Sequence, residues 1–206
     1  MDIPAWEIKI SRRSWLIAGM ATPLLHALAA DPLKVQYDGD NVHVAALSLH
    51  FLQGRSMERL KDGDVVAYIA QVDLLDDSRT LVLKQQKGRF VVSYALWEEK
   101  FSVTQLGPTP RSVEGLSAVA AEAWCLNQLA IPTLNLSPDR YYWLRLNLRT
   151  GNPRDFTAED SVGISIHSLI DYLSRKNSPE IHWGPLETRV RLADLPRMAG
   201  RGSKSG

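Results

Sequence analysis

The chain has 206 residues, 24 lysines and arginines against 23 aspartates and glutamates, and 45% hydrophobic residues. That length fits one domain with a core large enough to fold unaided, and the near-neutral balance excludes a general nucleic-acid binder, which would carry a strong basic excess. A single cysteine, Cys125, excludes an intrachain disulfide and any cysteine-rich zinc site.

Residues 1–30 read as an export signal. Lys9, Arg12 and Arg13 form a basic start, residues 15–25 are mostly apolar, and Ala27-Leu28-Ala29 sets small residues at the spacing of a cleavage site. The apolar stretch is shorter than the about 20 residues needed to cross a bilayer, so no transmembrane span is expected in the mature chain. Ser11-Arg12-Arg13-Ser14-Trp15-Leu16 resembles the twin-arginine export motif, carried by Arg12 and Arg13. Trp15 and Ile17 stand where that motif usually has Phe and Lys, and an ordinary secretory signal is the alternative. Either route implies a periplasmic or envelope-associated protein. Loss of residues 1–30 removes three basic and two acidic residues and leaves 21 of each.

Residues 31–40 read as a polar lead-in with Pro32 and Gly39 as breakers. From 41 to 51 the chain alternates, and His43, Ala45, Leu47, Leu49 and Phe51 are predicted to form the buried face of a first strand. Residues 55–62 suit one or two helical turns, with Met57 and Leu60 three apart on the docking side. The densest β pattern follows over 65–106. Val66, Tyr68, Ala70, Val72 and Leu74 recur at period two, then Phe90, Val92, Tyr94 and Leu96, then Phe101 and Val103. Turns at Asp76-Asp77-Ser78 and at 97–100 join them into an antiparallel meander. Lys87-Gly88 suggests a bulge or local turn inside the second arm.

Gly107-Pro108-Thr109-Pro110 ends the meander. Ser112 is positioned to cap a helix, with Glu114 near its positive end. Leu116, Val119, Ala120, Ala123 and Trp124 form its predicted apolar stripe, with Asn127 on the same spacing. Residues 139–149 read as a strand with Tyr142, Leu144, Leu146 and Leu148 on one face. A loop over 150–162, a short second helix from Ser165 to Leu173, and a strand over 187–194 follow. In that last strand Thr188, Val190 and Leu192 oppose Arg189 and Arg191. Residues 197–206 read as a disordered basic tail.

Six or seven strands joined by short turns imply antiparallel pairing. The expected fold is mainly β: an antiparallel immunoglobulin-like β-sandwich over 31–196, with one inserted amphipathic helix and a short second helix. A half-open barrel is the alternative.

Four stretches carry a family resemblance: Leu60-Lys61-Asp62-Gly63 before the strand with Val72; Phe90-Val91-Val92-Ser93-Tyr94 with Leu96-Trp97 and Phe101-Ser102-Val103; Tyr141-Tyr142-Trp143-Leu144-Arg145-Leu146; and Ile181-His182-Trp183-Gly184-Pro185-Leu186. In this order they resemble a family of exported bacterial proteins known only as a domain of unknown function. Its genes lie beside those for nitrogen-regulation-type sensor kinases. The resemblance implies export and an all-β domain, and it transfers no catalytic residue.

No catalytic, cofactor-binding or metal-binding residue follows from the sequence. His43, His50, His167 and His182 lack zinc-ligand spacing, and His43 is expected as a hydrogen-bonded structural histidine. Gly163-Ile164-Ser165-Ile166-His167 lacks the second glycine of a nucleophile elbow. Asp76-Asp77 and Glu98-Glu99 fall at turns, and Cys125 is expected as a buried, inert thiol. One constellation is suggestive. Arg145 and Arg149 share the polar face of one predicted strand, and Arg189 and Arg191 that of another. If the strands pair, four guanidinium groups line one surface, with Tyr141 and Trp143 at its end. The plainer and preferred reading is a solvated outer face with salt bridges to nearby acids; as a binding patch it would meet anionic lipid headgroups, acidic polysaccharide or an acidic protein surface. The leading expectation is a non-enzymatic interaction or accessory module of the cell envelope, with an envelope protein or anionic envelope surface as partner and no cofactor. The alternatives are an envelope enzyme built from scattered polar residues, with His50, His167 and Asp171 as first candidates, or a small-ligand carrier.

Overall fold

The computed structural model describes residues 33–151 and 180–197. The export segment, the stretch 152–179 with His167, Asp171 and the helix expected from Ser165, and the tail from 198 lie outside the described residues. Eleven elements follow in order: β1 (Lys34–Tyr37), β2 (Asn41–Ala45), α1 (Arg55–Lys61), β3 (Val66–Leu75), β4 (Val82–Ala95), β5 (Lys100–Leu106), β6 (Arg111–Leu116), α2 (Ala118–Asn127), β7 (Ile131–Pro132), β8 (Tyr141–Thr150) and β9 (His182–Arg191). They form two antiparallel sheets, one of three strands in the order β1-β2-β7 and one of six in the order β6-β5-β4-β3-β8-β9. The expected mainly β, antiparallel architecture is present, built as two sheets with two helices among the described residues. Among the described residues no helix is long and apolar enough to cross a membrane.

The period-two pattern explains the large sheet. Tyr68, Ala70, Val72 and Leu74 of β3, Phe90 and Val92 of β4, Phe101 and Val103 of β5, and Leu144, Leu146 and Leu148 of β8 are all buried in one core. Val42 and Val44 of β2, Ile131 of β7, Leu60 of α1 and Cys125 of α2 join that core from the other side. β3 is paired on both edges, with β4 and with β8. On its second face Ala67, Ile69, Asp73 and Leu75 are buried as well, and Gln71 partly so.

Six expectations are corrected. Residues 34–37, read as lead-in, pair with β2. In β2 the inward residues are Val42 and Val44, whereas His43 lies half-buried, so the expected face is off by one residue. Gly88 is not a bulge: it pairs with Ala70 in unbroken register, and the shift falls at Leu74/Leu75. A Cβ at Gly88 would sit 2.7 Å from the Phe90 ring and 2.8 Å from Leu129 Cδ2, so any larger residue there must displace those two side chains. Residues 111–116, read as the start of a helix, form β6 on the edge of the sheet. The helix cap is Ser117, whose Oγ accepts the Ala120 N–H at 3.3 Å, in place of Ser112. With that shift the buried side of α2 becomes Ala121, Glu122, Cys125 and Leu126, and Val119 is exposed.

Candidate interaction surfaces

The core-facing alternation of β8 and β9 leaves their other residues on the outer face of the large sheet. The two strands pair with Tyr141 opposite Arg191, Trp143 opposite Arg189, Arg145 opposite Glu187 and Arg149 opposite His182. All six residues of the expected basic patch therefore share one face. Each guanidinium group is matched by a carboxylate. Arg145 Nε donates to Glu187 Oε1 at 2.5 Å, and Arg149 Nη1 to Glu180 Oε1 at 2.9 Å. Arg189 makes a two-pronged pair with Asp77, both contacts at 2.8 Å, and Arg191 another with Asp194, both at 2.7 Å.

The aromatic residues are stacked into the same network. Arg189 lies over the Tyr141 ring at 4.1 Å and Arg79 over the Trp143 ring at 3.4 Å. Arg79 also reaches Glu187 at 3.1 Å. Arg79 and Asp77 come from the β3–β4 turn, which is folded by Asp76. That carboxylate accepts the Thr80 and Leu81 N–H groups at 2.9 and 3.0 Å and the Ser78 hydroxyl. The Ser78 hydrogen bond, first, and these backbone donors hold Asp76 below the usual carboxylate range. The hydrogen bonds that Arg189 donates to the Asp77 carboxylate hold its guanidinium above its ordinary value, and the bonds that Arg191 donates hold Asp194 below its own. The patch is a closed ion-pair ladder in which the positive charges meet charges of this chain.

A second group was not legible from spacing. Glu122 is the one charged residue of α2 and is buried. Its Oε1 accepts the Leu52 N–H at 2.8 Å, and its Oε2 lies 3.1 Å from Nδ1 of His50, which is half-exposed. The lone glutamate in an otherwise apolar helix was the available signal. Behind the pair is a cavity of about 50 Å³, room for water-sized species only. His43 is held by Asp38 at 2.8 Å in the β1–β2 turn, and Cys125 is buried with its thiol pushed up chiefly by desolvation. His182 is exposed and lies 3.4 Å from Glu180. Among the described residues no three potential metal ligands gather at one point.

The third group is apolar. Leu47, Val119 and Leu134 are exposed, and so are Leu96 and Trp97 in the turn that joins β4 to β5. Trp97 is fully exposed, at 100%.

No protein-family model, no curated protein and no solved structure matches this chain.

Proposed function

We propose that the protein is an exported, non-enzymatic interaction or accessory module of the cell envelope, working through the exposed apolar side chains at the end of its large sheet. The observation that carries this reading is the exposure of Trp97 beside Leu96. Indole is among the side chains most enriched where proteins bind one another. Export rests on the basic, apolar and small-residue order of residues 1–30, with Arg12 and Arg13 as the twin-arginine element. The resemblance to exported domains of unknown function points the same way. The arginine ladder is a lesser contributor, because its charges are already answered by Asp77, Glu180, Glu187 and Asp194.

Chemical cross-linking of intact cells, followed by affinity capture of the full chain, tests the reading. The expected result is one envelope protein recovered at fixed stoichiometry. Recovery of nothing from well-folded protein would overturn it. So would saturable turnover by the purified chain that is abolished by one point substitution.

One observation favours a second reading, an envelope enzyme. Glu122 holds His50 by Nδ1, which leaves Nε2 as the ring's other nitrogen for proton transfer. That reading expects turnover to vanish in His50→Ala while the fold is retained.

A further inference from the structure

The strands β4 and β5 close on the pair Ala95–Lys100, leaving residues 96–99 as a four-residue turn. Three features of this turn coincide. Trp97 is wholly in water and Leu96 is more than half exposed. Glu99 takes φ +53, the left-handed region in which a non-glycine residue is uncommon and which hairpin turns usually fill with glycine or asparagine. Beneath the turn, Tyr94 and Phe101 are register partners whose rings pack at 4.8 Å, and Phe101 is buried. The base is anchored in the core while the tip projects an indole. Selection for turn stability alone favours neither Trp97 nor Glu99, and residues held in sparsely populated backbone regions, such as Glu99, cluster at sites of function.

Charge then narrows the partner. Glu98 and Glu99 follow Trp97 directly and are exposed, and neither has an ion-pair partner among the described residues. The ladder on β8 and β9 is the opposite case, with every guanidinium paired. Lys100, exposed at the foot of the turn, offsets one of the two glutamate charges and leaves the tip negative by one, which an anionic bilayer would not attract. A protein pocket rimmed by cations would draw the carboxylates in while it desolvates the indole.

We propose that residues 96–99 form a docking prong: Trp97 enters an apolar pocket on a protein partner, and lysine or arginine side chains on the pocket rim meet Glu98 and Glu99. This rests on the interaction-module reading and assigns its contact surface.

The test places a photoreactive amino acid at Leu96 of the full chain in living cells of the source organism and locates the cross-link by mass spectrometry. The linked protein is then purified and its affinity measured. The expected link falls in one pocket bordered by Lys or Arg. Trp97→Ser should weaken binding by roughly 30-fold or more, without loss of fold, since the side chain touches no core. The double substitution Glu98→Lys/Glu99→Lys should weaken binding roughly tenfold and flatten its dependence on salt. Links only to lipid, links only to a second copy of this chain, a linked surface without cations, no link at all, or an affinity unchanged by Trp97→Ser would each overturn the proposal. A partner captured by probes at other positions but never from Leu96 would sink the prong and leave the interaction-module reading standing. Failure of capture from every position would remove both.

Discussion

His50 Nδ1 and Glu122 Oε2 lie 3.1 Å apart although 72 residues separate them in the chain. The same carboxylate receives the buried Leu52 N–H. Glu122 therefore ties α2 to the segment that leads into α1.

Truncating that carboxylate leaves the Leu52 N–H without an acceptor. Glu122→Ala is expected to cost about 2–3 kcal/mol of stability, and Glu122→Gln, which keeps an acceptor oxygen, about 1 kcal/mol. Urea unfolding of both variants measures the difference. A double-mutant cycle with His50→Ala should return a coupling of about 0.5–2 kcal/mol.

Gly88 lies in the middle of β4 against Phe90 and Leu129. Gly88→Ala is expected to destabilise by about 1–3 kcal/mol through overpacking. Leu129→Ala in the same chain should offset part of that cost by opening space, a non-additivity that denaturant titration resolves.

Asp38 gives a pH signature. The His43 hydrogen bond, first, and the Asn41 and Asp40 N–H groups hold its carboxyl well below the ordinary 3.8. Its folded-state value is depressed, so its contribution is complete above the unfolded value and is lost as pH falls through the folded one. The stability gap between wild type and Asp38→Ala should close as pH falls below about 4. Denaturant midpoints across that range check the direction; a gap that widened in acid would contradict the assignment.

Cys125 is buried on α2 with its thiol pushed up by desolvation and, second, by the Glu122 charge. A thiol reagent at pH 8 is expected to leave the folded chain unmodified and to label it at the rate of unfolding in denaturant. Rapid labelling of native protein would contradict the burial.

The strands β4 and β8 were legible because each buries one parity of residues and leaves the other less covered. β3 shows the same period although both its faces are buried, and β9 was legible only in part: it spans His182–Arg191, so the expected strand over 187–194 misses its first half and takes in the 3-10 turn Leu192–Asp194. Val66, Tyr68, Val72 and Leu74, or Leu144, Leu146 and Leu148, declare their face without further context. In β2 the chain is apolar at both parities around Ala45 and Ala46, so the alternation of Leu47, Leu49 and Phe51 extends onto His43 and hides the true inward pair, Val42 and Val44. β6 misled because Ser112 and Glu114 imitate a helix start, while Gly115, at φ +73, marks an irregular edge strand whose register shifts against Phe101 and Val103. The shared face of the four arginines followed from alternation. The salt bridges expected of a solvated face are present, but their partners were not readable, because Asp77 and Arg79 arrive from a turn and Asp194 from beyond β9. The pairing of His50 with Glu122 depends on a tertiary contact that no local spacing encodes.

The most direct measurement is a side-by-side capture from cross-linked cells with three forms of the full chain: wild type, Trp97→Ser, and Arg145→Gln/Arg189→Gln. The same partner should be recovered with wild type and with the arginine variant, and lost with Trp97→Ser. Recovery with Trp97→Ser and loss with the arginine variant would contradict the assignment and return the binding surface to the ladder on β8 and β9.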